Sequence, residues 1–514
     1  MTNNPVALPK SLIIFAICIP IALLVGYLLA TPTEYLSLGL VGLVLLGLSI
    51  PLFLRWHHPM LVFAWNTNLT VFFLPGQPSL WMVAAALSLF LTILACVMER
   101  QIAFQNVRSI TWPLLFLVGV ILVTAKLTGG MGVRSFGAET YGGKKFFFVL
   151  GAIIGYFALS SRPIPIQKAQ RYTGLFFLSG LTAAVSNLIY LAGPSFYFLF
   201  LFFSVDNALS QAMEDFSSVA SSVHFGRVQG VTVAAMAGFY FMLSRYGIRG
   251  VLDLVKPWRW IFLLICLALS LLGGFRSAVI LLALICVGQF YFERLFRTRL
   301  LLVLLMFLVF GGVGLVYFSK KLPLSVQRSL SFLPIEIDLI AQEDAQGTLD
   351  WRLEMWRALL PQVREYFFLG KGYALNPTDL YLAEESVRRG LASGYESNIV
   401  NGDYHSGPLS VIIPFGIFGL AGFVWLLAAG TRVLYRNHRF SDARLQHINT
   451  FLLSYFVARS LFYFVGFGSF YSDLPFFLGV LGFSVALNGG VCNEAPVRIA
   501  AQAHAAGLIE PETA

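Results

Sequence analysis

Charge is what this sequence has least of. Only 12% of its 514 residues are Asp, Glu, Lys or Arg, where a soluble domain carries roughly 25%. Together with 58% hydrophobic residues, that scarcity excludes a soluble globular protein. Cysteine is also sparse. Of five cysteines, Cys18, Cys96, Cys266 and Cys286 lie in apolar runs and Cys492 near the C-terminus, and no C-x-x-C occurs. A disulfide framework and a thiolate metal site are therefore excluded. Walker A, G-x-S-x-G and D-x-D motifs are absent, as is His/Cys metal spacing in the polar segments expected to face outward. Nothing supports a nucleotide-sugar or metal-dependent mechanism, and no cofactor is expected. No internal repeat is visible.

What is present is a succession of apolar runs, each near the ~20 residues that cross a hydrocarbon core. They lie at 11–30, 35–54, 60–75, 79–98, 112–127, 144–161, 172–192, 230–244, 260–275, 277–292, 300–318, 408–430, 448–467 and 474–490. The third, holding Asn66 and Asn68, is the weakest, and the apolar patch 196–204 reads as a re-entrant segment. The expected fold is all-α and polytopic, with about 12–14 transmembrane helices. The first run is long and is followed by no small-residue cleavage pattern, so no cleaved leader is expected. Phenylalanine is abundant, at 48 residues, and is expected to face lipid and the interfaces.

One set of connections carries seventeen basic residues against four acidic ones. The positive-inside rule puts this set in the cytoplasm, with both termini. The net charge of +10 is thus a mark of topology and not of nucleic-acid binding. Four regions follow: a bundle over 1–318, a large extracytoplasmic loop over 319–407, C-terminal spans over 408–490 and a cytoplasmic tail over 491–514. The segments 128–143, glycine-rich, and 193–229 also face outward.

The large loop differs from everything around it, with nine basic and twelve acidic residues, Trp351, Trp356 and His405. Asp350 can cap a helix starting at Trp351. Leu353, Trp356, Leu360, Val363 and Phe367 recur on one face, which fits a helix lying on a membrane surface, kinked at Pro361. Gly370 and Gly372 end it in a turn. The acidic run EIDLIAQED reads as solvated surface.

Five residues stand out for their chemistry, and a sixth accompanies them. Arg276 lies at the mouth of a tight hairpin after Gly273 and Gly274. It suits an anion clamp, because guanidinium is always charged and matches phosphate oxygens bidentately; it also suits a snorkelling turn residue. Arg352 sits four residues before Trp356 and is a second clamp or a solvated helix residue. His405 stands where the chain re-enters the membrane, and a neutral imidazole accepts a proton near pH 7. Asp403 or another loop carboxylate would orient it. Arg459 lies mid-span, where a charge is functional or paired. Arg227 opens a span and would extend the basic cluster. His224 is the other outward histidine.

These residues occur in a recognisable order. His405, followed by Gly416 and Gly419 in HSGPLSVIIPFGIFG, resembles the motif of the O-antigen ligase and O-antigen polymerase superfamily. WRLEMWRAL with LGKGY, and FRSAVI upstream, resemble that family's Arg–Trp segment, glycine turn and membrane-edge arginine. Ile280 stands four residues after Arg276 where the family has leucine. The resemblance covers about 265–430; the N-terminal half is similar only in hydropathy. It implies a GT-C type glycosyltransferase of the bacterial inner membrane, metal-independent, with its loop in the periplasm. The donor would be an undecaprenyl-pyrophosphate-linked glycan. The acceptor would be lipid A–core in a ligase, or another lipid-linked glycan in a polymerase. Arg276, Arg352, Arg227 and Arg459 would meet pyrophosphate, with His405 and Asp403 catalytic. A lipid-linked oligosaccharide flippase is the rival from another class, but it would be expected to show repeats and a midplane site.

Overall fold

The computed structural model describes residues 53–98, 104–131, 142–221, 226–253 and 255–493, except Pro75, plus scattered residues before 53. Two expected spans (11–30 and 35–54), the tip of the 128–143 segment, His224 and the tail beyond Asn493 lie essentially outside the described residues. Residues 1–58 form one unit, of which little besides helix from 53 onward is described; the second unit begins at Pro59.

Among the described residues the second unit is helical, with only isolated bridges between extended segments. We number its helices α1 Leu80–Met98, α2 Arg108–Thr128, α3 Gly143–Ser160, α4 Ala169–Leu178, α5 Ala183–Ala192, α6 Asp206–Ser221, α7 Gln229–Val251, α8 Trp258–Ser270 and α9 Arg276–Phe292. They continue as α10 Leu300–Phe318, α11 Leu324–Ser329, α12 Leu339–Glu365, α13 Pro377–Arg388, α14 Glu396–Asn401, α15 Leu409–Phe440, α16 Gln446–Val465 and α17 Phe470–Asn488. Nine helical segments in the described residues are long and apolar enough to cross a membrane, and α8 and α9 form a shorter apolar pair. The protein is an all-α, multi-pass membrane protein.

The expected span 60–75 is not a helix throughout. Its helix stops at Ala64, and the chain then turns, with Ser204 N donating to Asn68 O at 3.1 Å and Thr70 N to Phe202 O at 2.8 Å. The patch 196–204 is a 3-10 run, Pro194–Leu201, that leads into this pairing. The two asparagines explain the break: Asn66 Nδ2 satisfies the Phe176 carbonyl at 2.7 Å, a tertiary contact and not a lipid one.

Phenylalanine faces outward in part, as expected, with Phe73, Phe90, Phe198 and Phe310 exposed, but it is used inside as well. Many of these rings lie inside the bundle: Phe423, Phe451, Phe456, Phe470, Phe477 and Phe483 are fully buried. Phe176 stacks on Phe483 at 4.5 Å, joining α4 to α17. Between helices in lipid there is little hydrophobic drive, so shape-matched rings and polar pairs hold them together. Asn449 and Asn488 exchange amide hydrogen bonds at 2.8 and 2.9 Å between α16 and α17. By contrast α10 buries no residue, as a lipid-facing helix would.

The segment between α10 and α15 is not loose loop but four helices packed on the bundle's end. The long α12 begins at Leu339, not Trp351. Asp338 caps it by accepting from Ile340 N at 2.9 Å, so Asp350 lies mid-helix. Its packed face is Met355 and Leu359, with Trp351, Trp356 and Val363, against Tyr404, Ile399, Ile412 and Ile413. Leu353, Leu360 and Phe367 are exposed. The apolar stripe is thus shared between protein and surroundings.

Candidate functional site

The segment is locked to the bundle at a break in α15. Straight, its 32 residues would span about 48 Å, but Gly416 leaves helical geometry at φ +63°. Pro414, two residues earlier, cannot donate to the helix. The turn after α12 docks into this break through its backbone: Lys371 N donates to Ile413 O at 2.7 Å, Gly372 N to Pro414 O at 2.9 Å, and Ile417 N to Phe367 O at 2.7 Å. A Cβ at Gly416 would lie 2.2 Å from Phe368 O, and one at Gly370 2.2 Å from Pro414 O. The glycines of the two motifs are therefore the two halves of one joint. Gly416→Ala combines left-handed strain with a backbone clash. It is expected to cost about 1–3 kcal/mol, read as a lower melting temperature in detergent.

That joint positions His405. Trp356 Nε1 donates to Tyr404 O at 2.9 Å on one side of the histidine. On the other, Tyr463 Oη donates to Gly407 O at 2.8 Å, and Ser410 Oγ accepts from Phe470 N at 2.9 Å. Held from both directions, His405 sits at φ +49°, a conformation uncommon outside glycine. Its imidazole lies between the rings of Trp351 and Phe467, at 5.3 and 5.2 Å. Its Nδ1 is buried with no hydrogen-bond partner among the described residues. Burial, then the Arg352 charge, hold its pKa below the ordinary imidazole value, with Asp403 opposing. The ring is thereby kept neutral at pH 7.

The Asp403 carboxylate has its hydrogen bonds elsewhere. It pairs with Lys145 of α3 at 3.3 Å and accepts from Asn401 Nδ2 at 2.9 Å. Lys145, which was not among the residues singled out from the sequence, also lies 4.7 Å over the Tyr471 ring. This arrangement ties the segment to the bundle.

Three of the four arginines come together, with a fourth that the sequence did not flag. Arg328, on the short α11, is buried. It donates to Asp344, to the Gly274 carbonyl and, at 3.1 Å, to Thr348 Oγ1. Arg227 pairs with the same Asp344 at 3.1 Å. Arg276, the first residue of α9, donates to Ala345 O at 2.8 Å. Arg352 is lowered in pKa by burial and then by the charges of Arg276 and Arg328. Its Nε is buried and unpartnered among the described residues, and its guanidinium lies 5.3 Å over the Phe467 ring that also touches His405. The carboxylate in contact with this group is Asp344, so positive charge is left over. Asp344 belongs to the acidic run read as solvated surface. It is instead the counter-ion that holds Arg227 and Arg328.

Arg459 lies apart from the cluster. It donates to Asp473 Oδ1 at 2.7 Å and to Tyr455 Oη at 3.0 Å, with Phe476 stacked 3.9 Å away. It is a buried ion pair that lines the same cavity. That cavity, about 690 Å³, includes Arg352, His405, Phe467, Ser277, Arg459 and Asp473 among its walls. Farther in, Trp65, Trp81, Asn66 and Asn68 supply rings and amides. Among the described residues no group of three His, Cys, Asp or Glu stands close enough to hold a metal ion. The arrangement offers an anion site of planar donors beside a neutral imidazole, opening into a large amphipathic cavity.

Residues 260–424 match the family model described as O-Antigen ligase. No curated protein matches the chain. The matched stretch runs from within α8 to within α15 and contains Arg276, Arg328, Arg352 and His405, together with both halves of the glycine joint. It supports placement in the O-antigen ligase and polymerase superfamily.

Proposed function

We propose that this chain, whose residues 260–424 match the O-antigen ligase family model, transfers a glycan from an undecaprenyl-pyrophosphate donor to a hydroxyl of lipid A–core at the periplasmic face of the inner membrane. The reading rests chiefly on one juxtaposition: the unpartnered His405 Nδ1 beside the unpartnered Arg352 Nε in one cavity.

The chemistry balances with these residues. The acceptor oxygen forms a bond to the anomeric carbon, and the bond from that carbon to the pyrophosphate oxygen breaks. The electron pair goes to pyrophosphate, whose growing charge is met by Arg352 and Arg276. Donors fixed in place before the reaction stabilise such charge without reorganisation. The acceptor proton passes to His405. Arg227 and Arg328, held by Asp344, add field without direct contact. Arg459, committed to Asp473, supports the wall, and Asp403 with Lys145 positions the segment. No nucleotide and no metal enters this scheme, so transfer is expected to proceed in EDTA.

The deletion strain supplies the test. Loss of polymer from lipid A–core with lipid-linked polymer accumulating supports a ligase. A single repeat capping the core identifies a polymerase with the same donor and overturns the ligase assignment. The proposed sidedness has its own check. Single cysteines at Ser393 and Ser441, in a cysteine-free background, are probed with an impermeant thiol reagent on spheroplasts. Labelling is expected at 393 and not 441; the reverse would put the site on the wrong side of the membrane for this donor.

A further inference from the structure

A second cavity, about 390 Å³, lies toward the other end of α15 from His405. Arg432 and Arg436 lie 16 and 20 residues beyond the break at Gly416, or about 24–30 Å along the axis from it. The cavity is closed by Arg108 and Ser109 at the start of α2 and by Gly489 and Gly490 after α17. No acidic residue lines it among the described residues.

Three features of this cavity favour an anion, although Arg436 also donates to Asn493 Oδ1. Arg432 and Arg436 are one turn apart on α15, where like charges repel. Arg108 occupies the first position of α2, against the positive end of the helix dipole. The preceding residue, Val107, provides no side-chain cap; its carbonyl accepts from Ile110 N at 2.9 Å, which leaves the two amides before Ile110 facing the helix end. An anion seated among the three guanidiniums would answer all of them: phosphate accepts planar bidentate donation and suits a helix N-terminus. The flanking α2, α15 and α17 are each long and apolar enough to cross a membrane, and the pocket lies at their ends, the level at which headgroups meet a spanning helix.

We infer that this pocket binds a phosphate group, carried by an anionic lipid headgroup at the membrane surface opposite the proposed transfer site. The inference stands on this pocket alone and does not require the transferase reading.

The test uses the full chain in phosphatidylcholine nanodiscs, with and without phosphatidylglycerol, and separately with inorganic phosphate, read by melting temperature and native mass spectrometry. Phosphatidylglycerol is expected to raise the melting temperature and to remain bound. R432Q/R436Q is expected to weaken that binding roughly tenfold or more, as loss of charge-assisted contacts should. R432Q alone, at an exposed position, gives a smaller loss and guards against misfolding of the double variant. A response to inorganic phosphate but not to phosphatidylglycerol keeps the site and identifies free phosphate as its ligand. The inference is overturned if neither probe binds the wild type, or if the folded variants bind as the wild type does.

Discussion

His405→Gln is expected to fold, to bind the lipid-linked donor, and to lose glycan transfer by about 10²–10⁴-fold, the usual weight of a general base. Glutamine retains hydrogen bonding but cannot take a proton, which separates a base from a positioning group. The expectation follows from how much structure is committed to this ring. The backbone on either side is held by Trp356 and Tyr463, and the residue sits at φ +49°. Strain of this kind persists only where the surroundings impose it. Burial and Arg352 lower the pKa, so protonation is disfavoured. The acid limb of the wild-type rate profile should therefore fall below the ordinary imidazole value of about 6.5. Arg352→Gln removes one depressing charge and should move that limb upward in whatever activity remains. A Gln variant near wild-type rate would leave His405 as a positioning residue, with the departing pyrophosphate driving the reaction unaided.

Arg352→Lys is expected to lower turnover by about ten- to more than a hundredfold, the loss of a charge-assisted contact worth about 1.5–3 kcal/mol. Lysine keeps the charge but loses the planar fork and the Nε donor that has no hydrogen-bond partner among the described residues. Arg276→Lys should follow in the same direction. Arg328→Ala is the informative contrast. Arg328 is buried and already committed to Asp344, Gly274 and Thr348. Removing it leaves Asp344 to Arg227 alone and the buried Gly274 carbonyl without its donor, and the cost of about 1–3 kcal/mol should appear as lost stability. Measuring melting temperature beside kcat separates the two classes. Unchanged donor binding and turnover in a well-expressed Arg352→Ala variant would reduce that arginine to a snorkelling residue.

The contrast also shows what the sequence could and could not reveal. The apolar runs gave most spans, because a hydrocarbon core demands a length that hydropathy records directly. The turn before Arg276 was legible in Gly273 and Gly274, but the tight hairpin expected there does not form: α8 packs on α7 and α9 on α16, partners that the sequence order does not reveal. The start of α12 was not, since Asp350 and Asp338 are equally good caps locally. What selects Asp338 is packing of Ala341 and Ala345, which are buried, and that contact is tertiary. Asp344 looked solvated because Arg227, its partner, is 117 residues away. Arg328 was passed over among the basic residues of a polar segment, and Lys145 has its partner Asp403 258 residues away, with no local sign of it. The role expected for Asp403 rested on its being two residues from His405, whereas the ion pair with Lys145 turns it elsewhere.

The most direct measurement is reconstitution of the purified chain in nanodiscs with undecaprenyl-pyrophosphate glycan and lipid A–core, in EDTA and without ATP. Free undecaprenyl pyrophosphate and glycan-bearing lipid A–core are followed together. The two should appear in equal amounts with wild type and be nearly absent with His405→Gln. The opposite result would be a wild type that forms neither product yet moves the intact lipid-linked glycan across a sealed proteoliposome membrane. That would make the arginine cluster a transporter's anion site and contradict transfer at His405.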